Sequence, residues 1–504
     1  MQYIKCSLIV LVLTFCHFSH ATNYYVSNSG DNTNDGLSLE TAFLKLHFTT
    51  DIVAAGDTVF VENGGYDGFD LRYVSGTSEA PIVYKAMGGS VSINASGPIR
   101  DDGINIEEAN YIILDGFIVN NMEGSGNGIR VVVANNCIVR NCSCDNNAER
   151  GIFTAFTDDI IIEYNVCSNS IDEHGIYVSN SSDRPIIRYN ECYGNNAIGI
   201  HMNGDLSAGG DGIISDPILY GNVLHDNNGA AGINMDGVKN PTIYNNLIYN
   251  NHSSQGIALF QQDGAIVTNG AKIFNNTIIV PTDGRWGILL MEGANIGTEI
   301  YNNIIINQHA WRGCISAENT TELSSDFNIV NDKMSNVGDG AAITLAEWQV
   351  LGLDENTEIA EDLDLIFIDP DLYNLQLIED SQAIDAGTAL VEDVVENDID
   401  DNPRPIGDSF DIGAYEYAIE LSLMDNEALS IHFYPNPASD FIKIDYNHSS
   451  VVINTIELID LNGNIIQTFG SKDLLDLTTI PTGVYLIRIG VNSESVVYKK
   501  VLIN

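Results

Sequence analysis

Through most of this chain apolar residues come in runs of three or four, each bounded by Gly, Asn, Asp or Ser, and the runs recur at a fixed spacing. A Gly-Ile pair stands at Gly103, Gly128, Gly151, Gly175, Gly199, Gly232, Gly256 and Gly287, at intervals of 25, 23, 24, 24, 33, 24 and 31 residues. An asparagine follows each pair from Gly128 onward, at Asn141, Asn165, Asn190, Asn222, Asn246, Asn276 and Asn303. Between them lie β-rich runs such as Pro185–Ile187 and Thr242–Tyr244. Short strands at a constant period predict a solenoid, one coil of a parallel β-helix per repeat, with coils stacked about 4.8 Å apart.

The same pattern predicts the ends. Residues 23–58 give a strand, an Asp/Asn/Gly loop, a short helix suited to capping the open stack, and a turn; strands are expected at 59–61, 82–84 and 91–93. Beyond Asn303 the period fades. A short amphipathic helix is expected at 345–351, and the segment 369–417 is expected to close the stack. The predicted all-β architecture is therefore a β-helix with its caps over 22–417, a linker at 418–430, and a small β-sandwich over 431–504. In the last, alternating strands are joined by Asn-Gly and Thr-Gly turns.

Spacing also assigns the interior. Cys142, Cys167 and Cys192 lie 25 residues apart, which predicts one column of small buried thiols, with a disulfide or a metal site as the alternatives. The asparagines predict a hydrogen-bonded ladder of structural, non-catalytic amides.

Chemistry must then come from the outside of the coils. Alternation along each strand points the Ile of every Gly-Ile pair inward and the next residue outward. The outward column reads Arg130, Phe153, Tyr177, His201, Asn234, and its neighbour reads Val132, Ala155, Ser179, Asn203, Asp236. Flanking turns add Arg150, Glu173 and His174, and an insertion of about eight residues after His201 adds Asp205 and Asp211. The candidate catalytic residues are His201, His174, Tyr177, Asp236, Asp205 and Asp211. The candidate substrate-binding residues are Arg130, Arg150, Phe153, Asn203, Asn234 and Lys239. A long strip of this kind suits a chain-like ligand, with aromatic rings for sugar faces and Asp or Asn for hydroxyls. In a lyase, His201 or His174 would be the base, Tyr177 the proton donor, and Arg130 or Arg150 the group that neutralises a uronate carboxylate. In a hydrolase, two of Asp205, Asp211 and Asp236 would flank the glycosidic bond. A non-catalytic glycan-binding or adhesin protein would present the same strip.

Charge narrows the partners. With 69 acidic against 21 basic residues the net charge is −48, which excludes nucleic acid and anionic membrane surfaces as partners. It suits divalent cations, and the loop Asp31–Asp35 and the cluster Asp398, Asp400, Asp401 are candidate Ca2+ sites, with solvated turns as the plainer reading. Residues 1–21 read as a secretory signal peptide; no second long apolar run follows, so no integral membrane protein is expected. A capped solenoid needs no partner subunit, so a monomer is expected.

Three resemblances add to this. The opening 23–58 and the block HGIYVSNS, GIHMNGD, GGDGII, GINMDGV resemble secreted right-handed parallel β-helix proteins of the pectate-lyase-like superfamily. That superfamily is rich in pectate, alginate and related lyases, which tilts the reading toward β-elimination of an acidic polysaccharide; neither a substrate-specific lyase motif nor the triple-Asp pattern of pectin hydrolases is present, so the resemblance carries over no further than the superfamily. The pieces AIDAG, DNPRP and DIGAYEY resemble the terminal segment of choice-of-anchor β-helix proteins. The last seventy or so residues, with FYPNPASDFIKID, DLNG and TGVYLI, resemble the type A C-terminal sorting domain of the Bacteroidetes type IX secretion system. This implies export by that machinery and a secreted or outer-surface location.

Overall fold

The computed structural model describes residues 21–338 and 340–418, and between 431 and 503 the strands and the connection 477–481. The expected signal peptide and linker lie outside the described residues, apart from Ala21 and Ala418. The chain divides into two units at Tyr417/Ala418.

The first unit is a parallel β-solenoid of three sheets. One twelve-stranded sheet runs from Asn23–Val26 to Leu323–Asp326, a ten-stranded sheet from Phe69–Arg72 to Ile315–Ala317, and a second twelve-stranded sheet from Gly64–Asp67 to Glu358–Ile359. Parallel pairing needs a long crossover, and here the other two sides of each coil supply it. The inward isoleucines are in register from coil to coil: Ile104, Ile129, Ile152, Ile176, Ile200, Ile233, Ile257 and Ile288 pair successively, all fully buried. Each contributes roughly 1.5–3 kcal/mol by burial. Glycine precedes them because the coils are too close for a side chain there; a Cβ on Gly175 would stand 2.8 Å from the Gly199 carbonyl oxygen.

The asparagine ladder runs through Asn165, Asn190, Asn222, Asn246, Asn276, Asn303 and Asn328. The Oδ1 of each accepts the backbone N–H of the coil before it, and from Asn190 onward the side-chain N–H of the preceding asparagine where there is one. Asn141 is not a rung; Cys142 takes that place and donates its backbone N–H to Asn165. A second ladder at another corner joins Asn195, Asn227 and Asn251. The cysteine column also differs from the expected one. Cys144, not Cys142, lies in register with Cys167 and Cys192, because the coil between Cys144 and Cys167 has 23 residues. All six described cysteines are free and buried, and burial pushes the Cys142 and Cys137 thiols up to about 12.

Helices cap the solenoid as its pattern requires. Leu46–Thr49 places Leu46 over the first coils, and Leu345–Gln349, capped by Thr344 and Glu347, buries Trp348 against Asp354. The segment after 366 does not cover the end. It runs back along the flank, packing Phe367, Leu375, Ile412 and Ala414 against Leu247, Ile279 and Ile304. Hydrogen bonding explains this path, since its backbone carbonyls accept the side-chain N–H groups of the corner residues Asn245, Asn275 and Asn302. The second unit has two antiparallel sheets, of three and four strands, around Ile442, Ile444, Leu458, Leu475, Ile487 and Ile489.

Asn222 makes ladder contacts on both sides, so Asn222→Ala strands several buried groups. Urea unfolding should show a loss of about 3 kcal/mol, against less than about 0.5 kcal/mol for the exposed Asn228→Ala. Equal small losses for both would refute the ladder's stabilising role.

Candidate functional site

The ten-stranded sheet carries the outward strip in the expected register: Arg130 beside Phe153, then Tyr177, His201 and Asn234, with Ala155, Ser179, Asn203 and Asp236 alongside. Alternate residues emerge on one face because each strand is extended and every coil repeats the previous phase. What the strip exposes is narrower than its register.

Two loops cover its upper end. The insertion 204–213 and the loop 261–265 are joined by Leu206 N–H to the Asp263 carbonyl and Ala265 N–H to the Gly212 carbonyl. Asp236 lies beneath, 1% exposed, accepting backbone N–H groups from Gln262 (2.9 Å), Asp263 (2.6 Å) and Gly264 (3.1 Å). Its carboxylate is thus occupied in holding the loop. Asn203 and Asn234 are also buried, each 7% exposed. Asp205 caps the turn Leu206–Ala208 through Ser207, and Asp211 accepts from Ile213 N–H. The three aspartates therefore serve loop geometry and do not face one another as a pair across an open strip. Lys239 lies away from the strip, on the short strand Val238–Lys239 beside Ile214–Ser215. Arg130 is enclosed lower down by Asn105 (2.7 Å), Glu107 (3.3 Å) and Asp102 (4.0 Å).

The remaining residues form one contiguous array. Arg150 reaches from its turn over Phe153 and Tyr177, 5.2 and 5.1 Å from the ring centres, and is paired with Glu149 (3.2 Å) and Glu173 (3.0 Å). Tyr177 stacks on His201 at 4.7 Å, and His174 meets His201 edge-on. Burial raises the Tyr177 phenol above its ordinary value, while Ser179, Asn203 and the Arg150 cation act the other way.

The hydrogen bonds assign the protons. His174 Nδ1 accepts the Ile198 backbone N–H (3.3 Å), so the proton of neutral His174 is on Nε2. That N–H is shared between Glu173 Oε2 (2.9 Å) and His201 Nδ1 (3.0 Å). His201 Nδ1 is consequently an acceptor, and its own proton sits on Nε2, the nitrogen turned away from His174. Protonating His201 would set two N–H groups head to head. Burial first, then His174 and Arg150, hold its pKa well below the ordinary histidine value. His201 is thus a neutral N–H donor, and the sequence-based role of general base does not suit it. Glu173 is kept ionised, below the usual carboxylate range, chiefly by the His174 N–H. Glu149 is absent from the sequence-based candidates; its only signal was adjacency to Arg150 before Gly151.

The acidic turns are internally satisfied. Asp31 binds Thr33, Asp35 binds Leu37 and Thr41, and Asp398 binds the backbone of Asp400, Asn402 and Glu416. Among the described residues no three His, Cys, Asp or Glu side chains are grouped as a metal ion needs.

Two family models match parts of the chain. Residues 432–504 match the family model for a secretion system C-terminal sorting domain, and residues 51–254 match that for the periplasmic copper-binding protein NosD. The tail is a secretion sorting domain, and the protein is one exported to the cell surface or exterior. No curated protein matches. Among solved structures, pectate lyase Pel9A superposes with a TM-score of 0.56 at 15% identity, over 79% of this chain and 97% of its own, and so shares the parallel β-helix fold. A rhamnogalacturonan lyase (TM-score 0.46, 14% identity, 61% and 87% coverage) and an alginate lyase from Paenibacillus sp. (0.41, 18%, 54% and 96%) are also similar. No helix among the described residues is long and apolar enough to cross a membrane.

Copper does not fit the strip. A ligating imidazole must offer a lone pair, whereas His174 Nε2 carries a proton and the Arg150 cation stands beside the array. The thiols are buried in the core.

Nitrogen-15 NMR should show His201 neutral with its proton on Nε2, and still uncharged when the pH falls through the range where exposed histidines protonate. A midpoint near the ordinary value of about 6.5 would overturn the assignment.

Proposed function

We propose that this exported protein is a polysaccharide lyase that cleaves an acidic, uronate-containing chain by β-elimination along the strip at Arg150, Phe153, Tyr177 and His201. The observation that carries this reading is the convergence of a cation and a neutral imidazole N–H around one phenol on an outward strand face. Elimination needs these groups. A base takes the proton next to the uronate carboxylate, the electron pair forms a carbon–carbon double bond, and the glycosidic oxygen leaves with a proton. Tyr177, as phenolate, takes that proton and as phenol returns it to the leaving oxygen. Arg150 binds the carboxylate, and His201 Nε2–H donates to the oxygen on which charge develops. Phe153 offers a face to the adjoining sugar. Glu173 and His174 position His201.

Arg150 is already shared by two carboxylates, so an incoming uronate must displace one of them, and Glu149 sits at the end that the positioning chain does not use. The repulsion of this extra charge limits affinity. The hydrolytic alternative is weaker, since Asp205, Asp211 and Asp236 hold loops.

Ultraviolet absorbance of the unsaturated product, followed with pectate, alginate and sulfated algal glycans, tests the reading. One acidic substrate should give product, and Tyr177→Phe should lower kcat by at least about a hundredfold. Glu149→Gln should lower KM. Because the Tyr177 pKa is raised, the reactive phenolate becomes more abundant as pH increases, so kcat/KM should climb into the alkaline range. New reducing ends without absorbance would make the protein a hydrolase, and retention on glycan columns without either would make it a binding protein.

A further inference from the structure

A second site lies on a different face, where the first twelve-stranded sheet turns its corner. Successive coils place Glu163, Arg188, Tyr220 and Tyr244 in register there. The residues that follow them at the corner are Tyr164, Tyr189, Gly221 and Asn245. Tyr164 stacks on Tyr189 at 5.0 Å and Tyr220 on Tyr244 at 4.8 Å, both nearly parallel, whereas Tyr189 and Tyr220 meet edge-on at 74°. The break in the stack is at Gly221. Its φ is +65°, and a Cβ there would lie 2.7 Å from the Tyr189 ring, so the column has no side chain at this level. The segment 394–401 crosses in front, tied by the Tyr189 hydroxyl to Asp401 (2.7 Å) and by the Asn245 amide to the Asn397 carbonyl (2.6 Å). Between the corner and this strap is a cavity of about 460 Å³, a size typical of small-ligand sites.

We propose that this cavity binds an uncharged sugar unit of a glycan, independently of the strip on the ten-stranded sheet. The tyrosines supply aromatic surface for the apolar face of a pyranose. The polar groups that face it are mostly acceptors, which is what hydroxyl groups require. Asn245 is 2% exposed and lines the cavity with its Oδ1 unpartnered. Because its Nδ2 donates to a carbonyl, which can only accept, the amide cannot be turned to hide that oxygen. Glu396 and Asp401 add carboxylates at the rim. The cavity's cation is already neutralised, since Arg188 binds Glu163 at 2.5 and 2.8 Å and also donates to the Tyr220 hydroxyl. A uronate or sulfate would therefore meet net negative charge, which sets this site apart from one holding an acidic chain.

Calorimetric titration of the exported protein with xylo-, manno- and cello-oligosaccharides tests this, with oligogalacturonate and chitosan oligomers alongside. At least one uncharged series should bind, and Tyr244→Ala and the exposed Asp401→Ala should each weaken it by about tenfold. Tyr177→Phe should leave it unchanged. A thermal melt checks that Tyr244→Ala folds, and Asp401→Ala provides an independent reading if it does not. The inference is overturned if no uncharged oligosaccharide binds, if both variants bind as before, or if oligogalacturonate or chitosan is preferred. Failure of elimination on the strip would leave this binding unaffected, so the two readings fail separately.

Discussion

The buried amide that each coil hands to the next is the constraint on which this solenoid depends. A coil corner turns the backbone sharply, leaving an N–H that no strand ladder can satisfy in the dry interior. Asparagine supplies an acceptor for that N–H and donors for carbonyls within its own and the preceding coil. One residue type repeated at one place thus fixes the corner, and the corner fixes the phase of the following strand. Isoleucine stacking and the glycines at points of closest approach can then repeat without drift.

Phase has chemical consequences. Because strands keep register over the strip, a single outward position per coil becomes a column, and Phe153, Tyr177 and His201 are brought together from three coils by the same rule that buries Ile152, Ile176 and Ile200. Departures from the rule create the sites. The long coil after Gly256 spares residues for the 261–265 loop that covers Asp236, and the glycine at 221 interrupts a tyrosine stack and leaves a cavity. Regular coils make a scaffold, and irregular ones make places for ligands.

The proton arrangement at His174 and His201 shows how burial and a backbone hydrogen bond decide a role that residue type leaves open. Two histidines and a glutamate are equally the makings of a metal site, a general base or a fixed donor. One N–H, from Ile198, selects the tautomer of His174 and through it that of His201. Arg150 then adds a second reason for His201 to stay neutral.

Periodicity alone determined the parallel solenoid, the outward register of Arg130 to Asn234 and the β-strands of the C-terminal unit, because these depend on local spacing and on turn chemistry that a single strand or corner expresses, whereas the sorting role of the tail was legible only through its resemblance to a known family. It misplaced Cys142 and Asn141 where one coil lost residues, since a count along the chain cannot show which corner absorbs the change. Outward parity was legible for Asp236, but its occupation by the 261–265 loop was not, because that loop comes from the following coil and its hydrogen bonds are long-range. The pairing of Arg150 with Glu173, the tautomer of His201, and the strap that closes the tyrosine corner were likewise decided only by tertiary structure. Each depends on side chains and backbone from separate coils meeting within hydrogen-bond distance, which no pattern along one strand encodes.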